Sequence, residues 1–148
     1  MNYIKEAVDY LKNYENLLRS SCNLRDEILG LRVDLKSVKE MGYSDMPHGA
    51  GDPSVSDDAV VNKMFRLKQA EEEYKETVRT LKRMDKVMDG FKESNDLYYR
   101  ILYGYFVEQY TEDQLMKDFN YSDRHLRRIK QNALRAFSIQ LFGINALR

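Results

Sequence analysis

Basic side chains crowd one short stretch of this chain, "YSDRHLRRIKQNAL", residues 121–134. Its charged residues are four bases and one acid: Arg124, Arg127, Arg128, Lys130 and Asp123. The whole chain is balanced, with 24 Lys plus Arg against 24 Asp plus Glu. Arginine presents a planar fork of donors that matches a guanine edge or a phosphate with two hydrogen bonds. A local excess of arginine in a neutral chain therefore indicates a surface for a polyanion.

The residues before this stretch predict the elements that position it. A first helix is predicted over residues 95–109. Thr111 with Gln114 three residues later is the pattern of a capping box and opens a short second helix. Asn120 tolerates the left-handed backbone of a tight turn. Ser122 is the expected N-cap of a third helix that runs to about residue 141. A short helix, a turn and a longer capped helix form the helix-turn-helix pattern.

The two faces of the predicted third helix have different tasks. Leu126, Ile129, Ala133 and Phe137 recur at helical spacing and are expected to face the other helices. The opposite face would meet DNA in the major groove, as the second helix of this motif does. The candidate DNA-binding residues are Ser122, Arg124, His125, Arg127, Arg128, Gln131 and Arg135. The alternative is a merely solvated basic surface, and His125 fits either interpretation.

The first two thirds of the chain predict two long amphipathic helices, residues 3–41 and 57–93. A step of six between Leu18 and Leu24 breaks the apolar rhythm of the first, with Cys22 expected as a buried residue of the seam. Both prolines fall between the helices, so residues 42–58 predict a loop, with Ser56 as the next N-cap. The two helices are expected to pack as an antiparallel hairpin.

Composition predicts the fold class, while Gly90 and the cluster Ser94-Asn95-Asp96 predict a helix stop, a new N-cap and a boundary near residue 93. Few glycines and prolines and many Lys, Glu, Leu and Arg predict an all-α fold. We expect a helical interaction module over residues 1–93 and a DNA-binding domain over residues 94–148. Lys plus Arg against Asp plus Glu number 16 and 18 in the first, 8 and 6 in the second. One cysteine, no signal peptide and no apolar run of ~20 residues predict a cytoplasmic protein without membrane contact.

Other chemistry finds little support in the sequence. The loop region holds possible metal ligands without the spacing of a metal site: Asp45, His48, Asp52, Asp57 and Asp58. No nucleophile–base set and no phosphate-binding glycine loop occurs, so we expect no enzyme, no metal and no cofactor. Six of the 11 tyrosines lie between Tyr98 and Tyr121. They could stack on bases, but their spacing favours a place in a small core.

The stretch "TEDQLMKDFNYSDRHLRRIKQNALRAF" resembles the C-terminal helix-turn-helix of sigma factors, which reads the upstream promoter element. The resemblance covers about residues 95–142. Two positions depart from that family's pattern. Met116 stands where a small residue is usual, which suggests looser packing between the two helices. Asn120 stands where glycine is usual, a tolerable replacement.

Over its full length the chain resembles phage-encoded transcriptional regulators of the ArpU and RinA type, through the two long helices, the "YSDMPHGAGDP" loop and the sigma-like motif. The resemblance implies a late-gene activator of a phage or prophage. Its expected partners are double-stranded promoter DNA, host RNA polymerase and, in one arrangement, a second copy of the chain. The alternatives are a small terminase-like packaging adaptor or structural oligomeric phage protein, and a purely protein-binding module.

Overall fold

The computed structural model describes residues 2–40 and 53–148, and in those ranges it contains helices and no strands. The predicted all-α class is therefore confirmed. Long periodic segments with few helix breakers account for this result, because each can bury an apolar face only against another helix. None of the helices in the described ranges is long and apolar enough to cross a membrane.

The first predicted helix is interrupted near its start. Helix α1 covers Tyr3–Lys12 and helix α2 covers Tyr14–Glu40, with Asn13 between them outside helical geometry. The Asn13 side-chain amide donates to the Asp9 carbonyl at 2.8 Å, and this local bond competes with the helical pattern. The expectation of a buried Cys22 is wrong, since this thiol is exposed on the side of α2 away from buried Ile28 and Leu31.

Helix α3 covers Pro53–Ser94 and begins earlier than predicted. Ser56 therefore lies inside the helix, and its predicted role as an N-cap is wrong. Proline is well placed as a first helical residue, because the donor it lacks would have no helical partner there. The predicted loop is thus helical from residue 53, while residues 42–52, including Asp45, His48 and Asp52, lie outside the described residues.

The chain after α3 follows the predicted caps but contains one irregular turn. Asn95 caps helix α4, Asp96–Leu102, by accepting from the Tyr98 backbone N–H at 3.4 Å. A π-helical turn, Tyr103–Val107, follows where the sequence predicts regular helix. Helices α5, Glu112–Phe119, and α6, Asp123–Phe142, complete the chain before a 3-10 turn at Gly143–Leu147.

The π-helical turn depends on close approach at Gly104. Its carbonyl accepts from the Tyr110 backbone N–H at 2.9 Å, which closes the irregular turn. A Cβ atom on Gly104 would lie 3.3 Å from side-chain atoms of both Leu115 and Tyr110. The absence of a side chain at Gly104 therefore lets the start of the next segment fold back against this turn.

Two compact units divide the structure. The terminal unit combines Met1–Leu18 with Arg79–Arg148, and the middle unit is Arg19–Val78. The division differs from the predicted boundary at residue 93, because α1 and the end of α3 share one core with α6. The buried members of that core come from five elements: Ala7, Leu11, Met84, Val87, Met88, Phe91, Leu102, Phe106, Ala133, Leu134, Phe137 and Leu141.

The middle unit consists of parts of α2 and α3. Arg32 pairs with Glu71 at 2.9 Å, and Lys63 pairs with Asp34 at 3.8 Å. The later residue of α2, Asp34, pairs with the earlier residue of α3, Lys63, so these two segments run antiparallel. Among the residues of this unit that the structure describes, few side chains are buried, namely Ile28, Leu31 and Ala70. The complete arrangement of a long hairpin followed by a helix-turn-helix domain remains a prediction.

Candidate nucleic-acid interface

The capping box at the start of α5 forms as predicted. The Thr111 hydroxyl accepts from the Gln114 backbone N–H at 3.2 Å, and the Gln114 side chain accepts from the Thr111 backbone N–H at 2.9 Å. Two donors that a helix N-terminus leaves unpaired are thereby satisfied. This reciprocal bond fixes where α5 begins and therefore where its first-turn acid, Glu112, is placed.

The turn between α5 and α6 is also as predicted. Asn120 has φ 57° and ψ 43°, the left-handed conformation, and its backbone N–H donates to the Met116 carbonyl. Ser122 then returns to extended backbone and accepts from the His125 N–H at 3.2 Å. A single left-handed residue followed by a serine cap lets the chain change direction within three residues. The start of α6 is therefore fixed by local hydrogen bonds.

The inward face of α6 is the predicted one. Leu126 and Ile129 pack with Leu115 and Ile101 in a small core beneath the turn. Further along the helix, Ala133 and Phe137 are fully buried in the larger core of the terminal unit. The two cores hold α6 along most of its length, so its opposite face has a defined position.

The outward face of α6 gathers the predicted DNA-binding side chains. At about 100° of rotation per residue, five of them fall within an arc of about 100° on the side away from Leu126 and Phe137. All five are exposed: Arg124, Arg127, Arg128, Gln131 and Arg135. Ser122 is exposed at the helix N-terminus, with its hydroxyl already accepting one hydrogen bond. The structure thus brings the arginines of the prediction together on one accessible surface, which we term the α6 outer face.

The arginines of the α6 outer face differ in what they already contact. Arg127 Nε lies 3.3 Å from Oδ1 of Asp123, and its Nη2 lies 3.9 Å from Oε2 of Glu112. By contrast, Arg124, Arg128 and Arg135 have no hydrogen-bond or ion-pair partner among the described residues. The available positive charge is therefore concentrated on these three arginines.

Lys130 is basic but does not belong to the outward surface. Its side chain is only 15% exposed, and its Nζ lies 3.0 Å from Oε1 of Glu112. The same ammonium lies 4.0 Å from the centre of the Tyr105 ring, within the range of a cation–π contact. The hydrogen bond and the charge of Lys130 lower the pKa of Glu112. Lys130 thus connects α6 to α5 and to the π-helical turn.

His125 and the nearby aromatic rings form a packed edge beside the turn. The His125 ring lies edge-on to Tyr121 at 4.5 Å between centroids, and Tyr121 stacks on Phe119 at 5.7 Å. The guanidinium of Arg100 covers the other part of this edge, 4.7 Å from the Phe119 ring centre. His125 is half-buried, so its side chain supports the turn while part of it stays accessible.

Most of the tyrosines near the interface are structural. Tyr98, Tyr99, Tyr103 and Tyr105 are half-buried against the larger core. Tyr110 is the most exposed tyrosine of the segment, at 42%. These half-buried tyrosines therefore belong to the core, as their spacing in the sequence predicts. Stacking on nucleic acid would have to involve other side chains.

Sequence reasoning missed Glu112, although it found the capping box beside it. The Asp123–Arg127 pair could have been predicted from the sequence, because residues four apart are neighbours on a helix surface. The Glu112–Lys130 pair joins residues 18 apart in different helices, and no local pattern indicates it. Glu112, the acid that contacts both Arg127 and Lys130, is thus visible only in three dimensions.

No family model, curated protein or solved structure matches this chain. A functional assignment consequently depends on the chemistry of the α6 outer face and on the elements that position it. The resemblance to sigma factors and phage regulators stays a hypothesis carried by the quoted motifs.

Proposed function

We propose that this protein binds double-stranded DNA through the α6 outer face, with α6 lying in the major groove. The observation that carries the proposal is the set of three unpaired, exposed arginines on one face of a helix whose other face is buried. An unpaired guanidinium keeps all its donors for a base edge or a phosphate. The neutral net charge does not oppose this function, since DNA responds to the local surface.

The positions along α6 suggest separate roles. Arg124 and Arg128 lie in the first two turns, the part of a recognition helix that meets base edges. Gln131 follows one turn later and can bond an adenine edge with both groups of its amide. Ser122 and the nearby backbone N–H groups would contact a phosphate at the helix N-terminus. Arg135, about two turns after Arg128, is suited to the phosphate backbone.

A narrower proposal concerns the biological role. The resemblance to phage regulators supports a transcriptional activator that reads promoter DNA and contacts host RNA polymerase in a bacterial cytoplasm. The first part of the chain, with 16 basic and 18 acidic residues over positions 1–93, supports a division of labour, because it offers surfaces other than the one that would meet DNA. We expect a promoter fragment recovered with this protein from phage-infected cells to lie upstream of late genes.

Binding of labelled duplex DNA, followed by fluorescence anisotropy, tests the first proposal. Affinity should fall steeply with added salt, because neutralised phosphates release counterions. Arg128→Ala should weaken binding, while Lys75→Ala, which removes an exposed base from the middle unit, should not. An Arg124→Ala/Arg128→Ala double variant that binds selected and random duplexes like the parent would refute the proposal.

A further inference from the structure

Exposed apolar side chains lie on the outer side of α3 in the middle unit. Val61, Met64 and Phe65 are 47%, 56% and 68% exposed. Ala70 is buried and Lys63 pairs with α2, so both mark the inner side of this helix. At about 100° per residue, Val61 and Phe65 lie roughly opposite that inner side. Packing among the described residues of the middle unit therefore leaves these side chains exposed.

Charged residues frame this apolar pair in a regular way. Asp58 precedes Val61 by three residues, and Lys68 follows Phe65 by three residues. The four residues have the spacing of three, four and three that forms a seam between paired helices. We term Asp58, Val61, Phe65 and Lys68 the α3 outer stripe. It has an acid at its first end, a base at its last end, and an apolar centre.

The α3 outer stripe is complementary to itself when two copies meet in opposite directions. Val61 of one copy then faces Phe65 of the other, and Asp58 faces Lys68 at both ends. A parallel arrangement of the two α3 helices would instead place like charges opposite each other. An interface that uses the same patch on both copies closes as a two-fold dimer, the commonest form of protein self-association.

A similar stripe on α2 is less suited to this task. Its residues are Asp26, Leu29, Val33 and Lys36, with two exposed apolar side chains and no aromatic ring. Asp26 already pairs with Arg25 at 3.9 Å, and Lys36 also has an interaction within the chain. Asp58 and Lys68 have no hydrogen-bond or ion-pair partner among the described residues. Their charges are therefore available to a second copy.

We propose that the α3 outer stripe binds the same stripe of a second copy in antiparallel orientation. The inference goes beyond DNA binding and does not depend on it, since the surface lies in the middle unit and α6 lies in the terminal unit. The contact spans only about 15 Å of helix, so the dimer is a weak one that dissociates on dilution.

Sedimentation velocity without DNA tests the proposal, from about 5 to 500 μM protein. The parent should pass from 17.5 kDa to twice that mass as concentration rises. Phe65→Glu should raise the dimer dissociation constant at least ~tenfold, because it removes the central aromatic contact. Leu29→Glu, the matched change in the α2 stripe, should leave the dimer unchanged. Circular dichroism checks that each variant stays helical.

Exchanging the charges of Asp58 and Lys68 tests whether the two α3 helices of the dimer run antiparallel. Asp58→Lys should weaken the dimer by placing lysines opposite each other, and adding Lys68→Asp should restore it. A parent that stays monomeric throughout, or a Phe65→Glu variant that associates like the parent, would overturn the proposal. Equal loss in Leu29→Glu, or failure of the double exchange to restore the dimer, would also overturn it by requiring another surface or pairing.

Discussion

The ammonium of Lys130 and the carboxylate of Glu112 lie 3.0 Å apart and join the first turn of α5 to the second turn of α6. Tyr105 covers the same ammonium from the π-helical turn. Since Glu112 also lies 3.9 Å from Arg127, one carboxylate restrains two bases of the same helix. This contact fixes how the candidate recognition helix is held, and it leads to the first two predictions.

Glu112→Gln should lower the free energy of unfolding by about 1 kcal/mol at neutral pH, because a charge-assisted hydrogen bond is lost. The pKa of Glu112 is lowered by Lys130, so its stabilisation is present above its ordinary value of 4.5 and is lost as pH falls through the folded value. Urea unfolding at pH 7 and pH 3 should show the variant's deficit shrink in acid. Asp113→Asn, a change one residue along, is the matched control. A deficit that is constant with pH would contradict the assignment.

The two neighbouring arginines of the α6 outer face should contribute unequally to DNA affinity. Arg128→Ala removes an unpaired guanidinium and should cost ~1–3 kcal/mol if it contacts a base. Arg127→Ala should cost less, since Arg127 must first give up its contacts with Asp123 and Glu112. Asp123→Asn should strengthen binding for the same reason. Anisotropy titrations of the three variants give the order, and a weaker Asp123→Asn complex would show that the ion pair does not compete with DNA.

Leu126→Ala should destabilise the terminal unit by ~2–5 kcal/mol, because it empties part of the small core beneath the turn. Leu126 is only 1% exposed, whereas Leu147 is 60% exposed and provides the control for the same chemical change. Chemical denaturation compares the two. DNA binding of Leu126→Ala should fall in step with the folded fraction, and normal stability would show that this leucine is not a core residue.

Asn120→Gly should leave stability unchanged or raise it slightly, and Asn120→Ala should lower it by about 1 kcal/mol. The reason is the positive φ of 57°, which glycine adopts without strain and alanine does not. Thermal unfolding of both variants measures the difference. Equal stability of the two would mean that the turn has another conformation in solution.

A fragment of residues 94–148 should fail to fold, although the predicted domain boundary suggests that it could. Phe137 and Leu134 pack in one core with Ala7, Leu11 and Phe91, and this fragment lacks all three of those residues. Circular dichroism should show a broad, uncooperative transition. Adding a peptide of residues 1–18 to a fragment of residues 79–148 should restore more helix than either piece has alone.

Local signals in the sequence account for the parts of the interface that were predicted. Thr111, Asn120 and Ser122 act through bonds to residues at most four positions away, so residue type alone is informative. The buried and exposed faces of α6 follow from helical periodicity in the same way. These features place the outward arginines without any knowledge of the rest of the fold.

Long-range packing decided what the sequence could not predict. Cys22 lies in a stretch of α2 where the sequence pattern leaves open which face of the helix is buried. The neighbouring helix determines that face, and Cys22 is exposed. The π-helical turn depends on Gly104 meeting Leu115 and Tyr110 from later segments. The core shared by α1 and α6 has no local signal either, because amphipathic helices do not specify their partners.

That shared core determines when the terminal unit can fold during synthesis of the protein. Ala7 leaves the ribosome roughly 130 residues before Phe137, which at bacterial and eukaryotic elongation rates means a delay on the order of 10 s. The end of α3 emerges earlier, but until α6 follows, the part of the apolar face of α1 that packs on α6 is open to chaperones or to other nascent chains. The terminal unit can close only after α6 has emerged, so translation pauses within α6 would prolong the vulnerable period.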